Sequence, residues 1–421
     1  LFFLFNFSVF SQDRVNTNLF GFRTSLSFIF FDTKSSSFIS DVQSLSPNVL
    51  SFPGGLGNFY HYDGIGYGLR LDEIKKYQNH NSRNQIVKFF NDLIISKNHN
   101  QNYIYDFISM AKETNSSVIF DANIITSTPD EVLRAIKTLV DSNVSLLGIE
   151  LGGELYDKSY SHFMTIDKYI SLSKLYANSI RSHYKDIPIG VVSAPHNRGS
   201  IRLSEWNRRL ALEKFYDAII IHPYAKVVKG RDVAGQMLTV ISEGVDDVAT
   251  FDIYKERAIK YIILDFKREI KKYNHIFKNR RIWLTEWNLQ MSQVTGNTLL
   301  QALFVSHQLI ELASLSESNI DLATFHNLAG RTISGSMIRK KGSMVQKNAT
   351  YNSMKIINEL FKDTLFLMDK KKISDDCFEY CFISKEKDRK LYYWINWSKN
   401  TVGTQKKVVG NLKEYFGDQL F

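Results

Sequence analysis

The stretch Arg281-Ile282-Trp283-Leu284-Thr285-Glu286-Trp287-Asn288 joins an apolar run to a single carboxylate. Its β-branched and aromatic residues predict a buried strand, with Glu286 at the C-terminal end of that strand. A carboxylate in that position costs free energy unless it is paired or used in chemistry. A second copy of the pattern, residues 146–154, delivers Glu154 just after another apolar run. Two strand-end glutamates on one chain favour chemistry that needs paired carboxylates.

Short apolar runs of this kind recur along the chain, and amphipathic helical patterns lie between many of them. Thr128 and Pro129, for example, mark a helix start and are followed by apolar residues at helical spacing. Eight strands alternating with helices predict an α/β fold, a (β/α)8 TIM barrel. The alternative is a doubly wound open sheet, but the glycines of residues 54–57 do not form its phosphate-binding pattern. The predicted strands are residues 19–23, 49–52, 117–120, 146–150, 187–192, 218–221, 282–285 and 320–325.

The character of the sequence changes after about residue 340. One more helix, near residues 349–361, closes the predicted barrel, and four short strand patterns follow it as a β meander. We therefore predict a catalytic barrel over residues 12–362 and a small, partial β-sandwich over residues 363–421.

The first residues resemble the apolar core of a secretory signal. Residues 1–11 predict a signal-peptide remnant and hence a secreted, periplasmic or cell-surface protein, and a buried first strand is the alternative. No other stretch is long and apolar enough to predict a membrane span.

The composition of the 421-residue chain, with 44% hydrophobic and 23% charged residues, is typical of a soluble globular protein. The formal net charge of +10 favours an anionic partner. The basic residues are scattered, however, and short runs such as residues 370–372 predict solvated faces and no nucleic-acid binding.

The two cysteines and the ten histidines predict neither a disulfide nor a metal site. Cys377 and Cys381 lie on one predicted strand, where four residues span about 13 Å. A disulfide needs Cα atoms within roughly 7 Å, so both are predicted to be free thiols. No histidine pattern has metal-ligand spacing, and we predict no metal and no cofactor.

Glu154 follows the fourth predicted strand and Glu286 ends the seventh. Strand C-termini and the loops after them build the active site of such a barrel, and these two strands lie on opposite sides of its mouth. Two facing carboxylates are what glycoside hydrolysis needs, one as acid and the other as nucleophile or base. The alternative is two unrelated glutamates in separate salt bridges.

Four motifs, in this order, resemble the retaining glycoside hydrolases of clan A. The resemblance is greatest to families thirty-nine, fifty-one and seventy-nine, which include arabinofuranosidases, xylosidases and glucuronidase- or heparanase-like enzymes. It spans roughly residues 18–330. The motifs are Phe52-Pro53-Gly54-Gly55, Ile149-Glu150-Leu151-Gly152-Gly153-Glu154-Leu155, Ile221-His222-Pro223-Tyr224 and Leu284-Thr285-Glu286-Trp287.

The resemblance implies roles for the residues of these motifs. Glu154 would be the general acid and then base, and Glu286 the nucleophile, with Tyr224 holding the nucleophile and His222 lining the same mouth. The alternatives are an Asx turn at Asn123 and plain packing for His222, Tyr224 and Trp287. Further candidate substrate contacts are Asn123, Tyr60, His61, Trp287, His326 and Gly153.

The predicted partner is a carbohydrate substrate. Arg70, Arg198, Arg202 and Arg331 lie in predicted loops and offer contacts to a uronate or sulfate, so the substrate is predicted to be either neutral or anionic. Gly153 departs from the resemblance, because those families carry an asparagine before the acid/base that binds the sugar 2-hydroxyl. This departure supports a second hypothesis, a sugar-binding barrel without turnover.

Overall fold

The computed structural model of the chain describes most of the predicted barrel and the sheet that follows it. The predicted signal remnant, residues 1–11, lies outside the described residues. The described residues are 14–62, 67–77, 88, 92, 102–196, 199–228, 248–292, 294–315, 319–398 and 403–409.

Eight parallel strands form a closed barrel. Each strand pairs with its neighbours in chain order, and the last pairs with both the seventh and the first, so the sheet has no free edge at this seam. This closure confirms the predicted (β/α)8 barrel over an open doubly wound sheet. The strands are β1 (Gly21–Arg23), β2 (Val49–Phe52), β3 (Ser117–Ala122), β4 (Leu146–Leu151), β5 (Ile189–Val192), β6 (Ala218–Ile220), β7 (Arg281–Leu289) and β8 (Ile320–His326).

Helices cover the outside of the barrel. The predicted helix start at Pro129 is confirmed, because the Thr128 hydroxyl oxygen accepts a hydrogen bond from the Glu131 N–H at 3.3 Å. The α-helices are Ser27–Phe30, Ser36–Leu45, Leu71–Tyr77, Tyr103–Glu113, Pro129–Asp141, Ile166–His183, Ile201–Leu210, Val248–Lys260, Phe266–Ile276, Leu299–Ala313 and Ala349–Ile357. Shorter turns are Thr17–Leu19, Gly57–Phe59, Lys158–Tyr160, Tyr261–Asp265 and Asn358–Phe361, and short strands are Tyr60–Tyr62, Tyr67–Leu69, Tyr224–Ala225, Ala329–Gly330, Ile338–Lys341 and Met344–Lys347. Among the described helices, none combines the length and the apolar character needed to cross a membrane.

Trp283 of β7 fills the centre of the barrel and is 1% exposed. Its indole lies against Gly148 in β4 and Gly190 in β5, two strands that face β7 across the interior. A Cβ atom on Gly190 would stand 2.6 Å from two indole carbons, which is far inside van der Waals contact. These glycines therefore make the room that the indole occupies.

We expect the Gly190→Ala variant to lose about 1–3 kcal/mol of unfolding free energy, because the added methyl overpacks the core around Trp283. Urea unfolding of the purified variant measures this loss. The same substitution in a Trp283→Phe background should cost much less, since the smaller ring leaves the clashing volume empty. Equal costs in both backgrounds would contradict this account of the core.

A four-stranded antiparallel sheet follows the barrel and confirms the predicted meander. Its strands pair in chain order, and the described residues supply this one layer of the predicted sandwich. Cys377 and Cys381 both lie on its second strand and are free thiols, as predicted. The strands are Leu365–Ser374, Cys377–Ser384, Lys390–Asn396 and Gly403–Val409.

The sheet packs on helix Leu299–Ala313 through a buried carboxylate. The side chain of Glu311 is 1% exposed, and its oxygens lie 2.5 Å from Lys370 Nζ and 3.1 Å from Lys267 Nζ. Tyr380 donates a further hydrogen bond of 2.5 Å to this carboxylate. Residues 370–372 are exposed, as predicted, and the Lys370 ammonium also pairs with this carboxylate, because a buried carboxylate needs a cation beside it.

Candidate active site

The C-terminal mouth of the barrel is organised around Arg23, the last residue of β1. Its side chain is 1% exposed and binds three carboxylates. Arg23 Nη2 lies 3.0 Å from Asp121 Oδ2, and Nη1 lies 3.2 Å from Glu150 Oε2. Arg23 Nε lies 2.8 Å from Glu286 Oε1, although its N–H is not aimed at that oxygen, so this contact is an ion pair without a hydrogen bond. One buried guanidinium thus joins strands β1, β3, β4 and β7.

Glu286 is held in its ionised form by these neighbours. Besides Arg23, it accepts a 2.6 Å hydrogen bond from the Tyr224 hydroxyl through Oε2. Burial alone would raise the pKa of Glu286, but the positive charges of His326, His222 and Arg23 and the Tyr224 hydrogen bond lower it to about 2. Burial lowers the pKa of His326. At neutral pH the side chains beside Glu286 that carry positive charge are therefore Arg23 and His222.

Glu154 stands three residues after β4 in a left-handed backbone conformation, with φ +47°. That conformation costs a residue with a side chain about 1–2 kcal/mol. Its Oε1 accepts hydrogen bonds of 3.0 Å from the Tyr156 hydroxyl and of 3.0 Å from His222 Nδ1. The side chain of Glu154 is 44% exposed, whereas that of Glu286 is 11% exposed. Glu154 therefore faces the open side of the mouth and Glu286 its floor.

His222 connects the two glutamates. Its Nδ1 lies 3.0 Å from Glu154 Oε1 and 3.8 Å from Glu286 Oε2, and its Nε2 donates to Thr285 Oγ1 at 3.0 Å. Burial disfavours the imidazolium, but the adjacent carboxylates, chiefly that of Glu286, outweigh burial and raise the pKa of His222 to about 10. A charged His222 can donate from both nitrogens at neutral pH.

The donor atoms of Glu154, His222 and Glu286 all lie within 4.8 Å of one another. Within the described part of the chain, this is the one group of such side chains compact enough to surround a metal ion. A metal ion bound there would have to displace the proton that the neighbouring carboxylates hold on His222. The arrangement favours proton transfer and nucleophilic attack by carboxylates.

Arg23, Asp121, Glu150 and Tyr156 were not predicted as site residues. Asp121 and Glu150 are 1% and 0% exposed and form the layer beneath Glu286. Arg23 shows the same sequence pattern as Glu286, a charged residue at the end of an apolar strand. Tyr156 carried no comparable signal, because its contact with Glu154 depends on the turn between them.

Asn123, Tyr60 and His61 do not point toward the two glutamates. Both polar atoms of the Asn123 side chain are used locally: its oxygen accepts from the N–H groups of residues 125 and 126, each at 3.0 Å, as in an Asx turn. Tyr60 is 0% exposed in an aromatic cluster with Phe52. His61 lies between two carboxylates, 2.7 Å from Glu73 and 2.9 Å from Glu131. These contacts give all three residues partners within the protein, and a contact with substrate stays a prediction for each.

Of the other predicted substrate contacts, Trp287 lies in the core, His326 lies beside the site, and Gly153 lies in the loop that carries Glu154. Trp287 is 3% exposed and packs edge-on against Phe325, at 5.4 Å between ring centroids, which favours the packing alternative over a substrate contact. His326 ends β8 beside the site, with its ring 6.2 Å from that of Tyr224. Gly153 lies directly before Glu154, and its backbone is hydrogen-bonded to Asn58.

The loop arginines have partners within the protein or fall outside the described residues. Arg202 belongs to helix Ile201–Leu210, and its guanidinium donates to the carbonyl oxygens of Tyr156 and Met164. Arg198 lies outside the described residues. Arg202 thus anchors the loop that carries Glu154, and an anionic substrate stays a prediction.

The fold closely resembles that of clan A glycoside hydrolases with solved structures. A GH51 arabinofuranosidase from Xanthomonas axonopodis pv. citri superimposes with a TM-score of 0.65 at 13% identity, over 93% of this chain and 84% of the other. An α-L-arabinofuranosidase from Thermotoga maritima gives 0.61 at 14% identity, over 92% and 83%. A 4-O-α-L-rhamnosyl-β-D-glucuronidase from Fusarium oxysporum 12S gives 0.53 at 12% identity, over 93% and 79%. At these identities the comparison shows the fold. No family model and no curated protein matches the sequence.

Proposed function

We propose that the protein is a retaining glycoside hydrolase, with Glu154 as acid/base and Glu286 as nucleophile. The observation that carries the proposal is the pair of carboxylates facing each other at the barrel mouth, with one oxygen of each within 4.8 Å of the other. Retaining enzymes hold their carboxyl groups about 5–5.5 Å apart, whereas inverting enzymes need about 6.5–9.5 Å to admit water. The short separation therefore supports double displacement.

The environments of the two carboxylates suit different roles. Glu286 is buried, ionised and held by Arg23 and Tyr224, as a nucleophile requires. In the first step it would attack the anomeric carbon while Glu154, on the exposed side, donates a proton to the leaving oxygen. In the second step Glu154 would remove a proton from water, which displaces Glu286. His222 and Tyr156 would orient the Glu154 carboxyl through both steps.

The substrate class follows from the mouth and from the structural neighbours. The neighbours named above are, by name, arabinofuranosidases and a rhamnosyl-glucuronidase. We propose a carbohydrate glycoside as the substrate, and a secreted or cell-surface location in keeping with a polymeric carbohydrate. The second hypothesis, sugar binding without turnover, rests on Gly153 and is tested by the same assay.

We expect the Glu154→Gln variant to lose roughly 10²–10⁴-fold in kcat/KM on aryl glycosides with poor leaving groups, the usual contribution of general acid catalysis to the first step. The loss in kcat/KM should shrink for dinitrophenyl glycosides, because their phenolate leaves without needing a proton. Glu205→Gln is the matched control, because Glu205 is 41% exposed and ion-paired on the outer helix Ile201–Leu210. Steady-state rates on a panel of aryl glycosides measure both effects.

Two outcomes of this assay would count against the proposal. Full activity of Glu154→Gln would remove Glu154 from the mechanism. A wild type that binds oligosaccharides, measured by calorimetry, yet hydrolyses no glycoside of the panel would favour the sugar-binding hypothesis.

A further inference from the structure

Asn58 forms a two-way hydrogen-bonded pair with the backbone of Gly153. Its Oδ1 accepts from the Gly153 N–H at 2.9 Å, and its Nδ2 donates to the Gly153 carbonyl at 2.7 Å. Asn58 is 2% exposed and lies in the turn Gly57–Phe59 after β2. A side chain from one βα loop thus fixes both polar groups of one residue in another loop.

The residue that this pair fixes is the one directly before Glu154. Glycine has the widest backbone freedom of all residues, so the segment before Glu154 is intrinsically loose. The available space does not require glycine: a Cβ atom on Gly153 would meet its nearest neighbours, Asn58 Nδ2 and Asp121 Oδ2, at an ordinary 3.8 Å. Glu154 itself is in the left-handed conformation that residues with side chains rarely adopt. External hydrogen bonds must therefore hold this backbone in place.

We propose that Asn58 is a positioning residue for the acid/base, and that it supplies the restraint that Gly153 cannot supply. This inference rests on the proposed function, since it concerns the step in which Glu154 protonates the leaving oxygen. Asn58 does not need to touch the substrate. It acts through the Gly153 peptide, which sets the direction of the Glu154 carboxyl relative to Glu286.

The chain offers a matched control for this pair. Asn207, 1% exposed in helix Ile201–Leu210, makes the same two-way pair with Ala194 in the loop after β5. Its Oδ1 accepts from the Ala194 N–H at 2.7 Å, and its Nδ2 donates to the Ala194 carbonyl at 2.8 Å. The residues on either side of Ala194 are Ser193 and Pro195, so this pair does not hold the backbone next to a carboxylate.

The test compares Asn58→Ala with Asn207→Ala on aryl glycosides of one sugar with leaving groups of graded pKa. We expect Asn58→Ala to lose roughly 10- to 100-fold in kcat/KM on poor leaving groups, part of the usual contribution of general acid catalysis to the first step. The loss on dinitrophenyl glycosides should be less than about threefold, since those need no proton. Asn207→Ala should show one small, uniform change across the series. Adding Gly153→Ala to Asn58→Ala should recover part of the lost rate, because alanine restricts the backbone.

The outcomes separate this inference from the proposed function. A uniform loss for Asn58→Ala, or the same profile for both asparagine variants, overturns the positioning role while leaving glycosidase activity in place. A wild type that hydrolyses no glycoside overturns both. If Asn58→Ala does not fold, Asn58→Asp keeps the acceptor half of the pair and is measured in its place. Its rate should then depend on the leaving group in the same way.

Discussion

The Glu286→Gly variant is expected to lose about 10⁴-fold or more in kcat on every aryl glycoside that the wild type hydrolyses, the scale of losing a catalytic nucleophile. Unlike the loss at Glu154, this loss should not depend on the leaving group, because no covalent intermediate can form without the Glu286 carboxylate. Steady-state kinetics with freshly purified protein measure it.

A small anion should restore part of this activity. Glycine in place of Glu286 leaves space beside the anomeric carbon, which azide or formate can enter as an external nucleophile. Because Glu154 still donates the proton, azide should yield a glycosyl azide with the anomeric configuration opposite to that of the substrate. Product analysis by nuclear magnetic resonance identifies the configuration.

Glu311→Gln is the control for removing a buried, ion-paired glutamate. The side chain of Glu311 is 1% exposed and binds two lysines at the sheet interface, remote in the fold from the barrel mouth. This variant should be less stable than the wild type but keep its kcat per folded molecule. Wild-type turnover by Glu286→Gly without added anion would contradict the role of Glu286.

The fold could be predicted because buried parallel strands are short apolar runs, and these are visible in one sequence. The predicted strand at residues 49–52 is β2 with its bounds unchanged. By contrast β7, predicted over residues 282–285, runs over Arg281–Leu289. Its extension continues through Glu286 to pair with Tyr224–Ala225, a contact between segments far apart in the chain.

The facing glutamates could be predicted for the same reason, since strand order alone places the ends of β4 and β7 across the mouth. The surrounding contacts could not. Asn123 and Trp287 follow predicted strands, as Glu154 and Glu286 do. The side-chain oxygen of Asn123, however, accepts a hydrogen bond within a local turn, and Trp287 is buried in the core. Which side chain points inward depends on bulges and turns, for example the register shift between Leu284 and Trp287 in β7.

The Arg23→Met variant is expected to lose about 3–5 kcal/mol of unfolding free energy, because it removes the guanidinium that pairs with three buried carboxylates. Methionine keeps much of the length and the apolar volume of the arginine stem, so the loss reports mainly on charge. The affected groups are Asp121, Glu150 and Glu286, which Arg23 contacts at 3.0, 3.2 and 2.8 Å. Urea unfolding at neutral pH measures the loss.

The pH dependence of this loss has a defined sign. In the wild type the pKa of Glu286 is lowered from 4.5 to about 2, so its ionised form stabilises the fold above pH 4.5, and this contribution disappears as the pH falls toward 2. Without Arg23 the carboxyl pKa values rise and protonation removes the unbalanced charges. The stability difference between wild type and variant should therefore shrink as the pH falls from neutral, through the raised carboxyl pKa values of the variant, toward 2.

A second substitution separates stability from catalysis. The double variant Arg23→Met/Glu150→Gln lacks the buried carboxylate of Glu150 as well as Arg23. It should therefore regain part of the unfolding free energy that Arg23→Met alone loses. Activity should not return with it, because Glu286 still lacks the cation that keeps it ionised and in place. The acid limb of the kcat/KM profile should then lie at higher pH than in the wild type, since the pKa of the nucleophile has risen. Recovery of wild-type activity in the double variant would show that Arg23 supports the fold alone and leaves the nucleophile untouched.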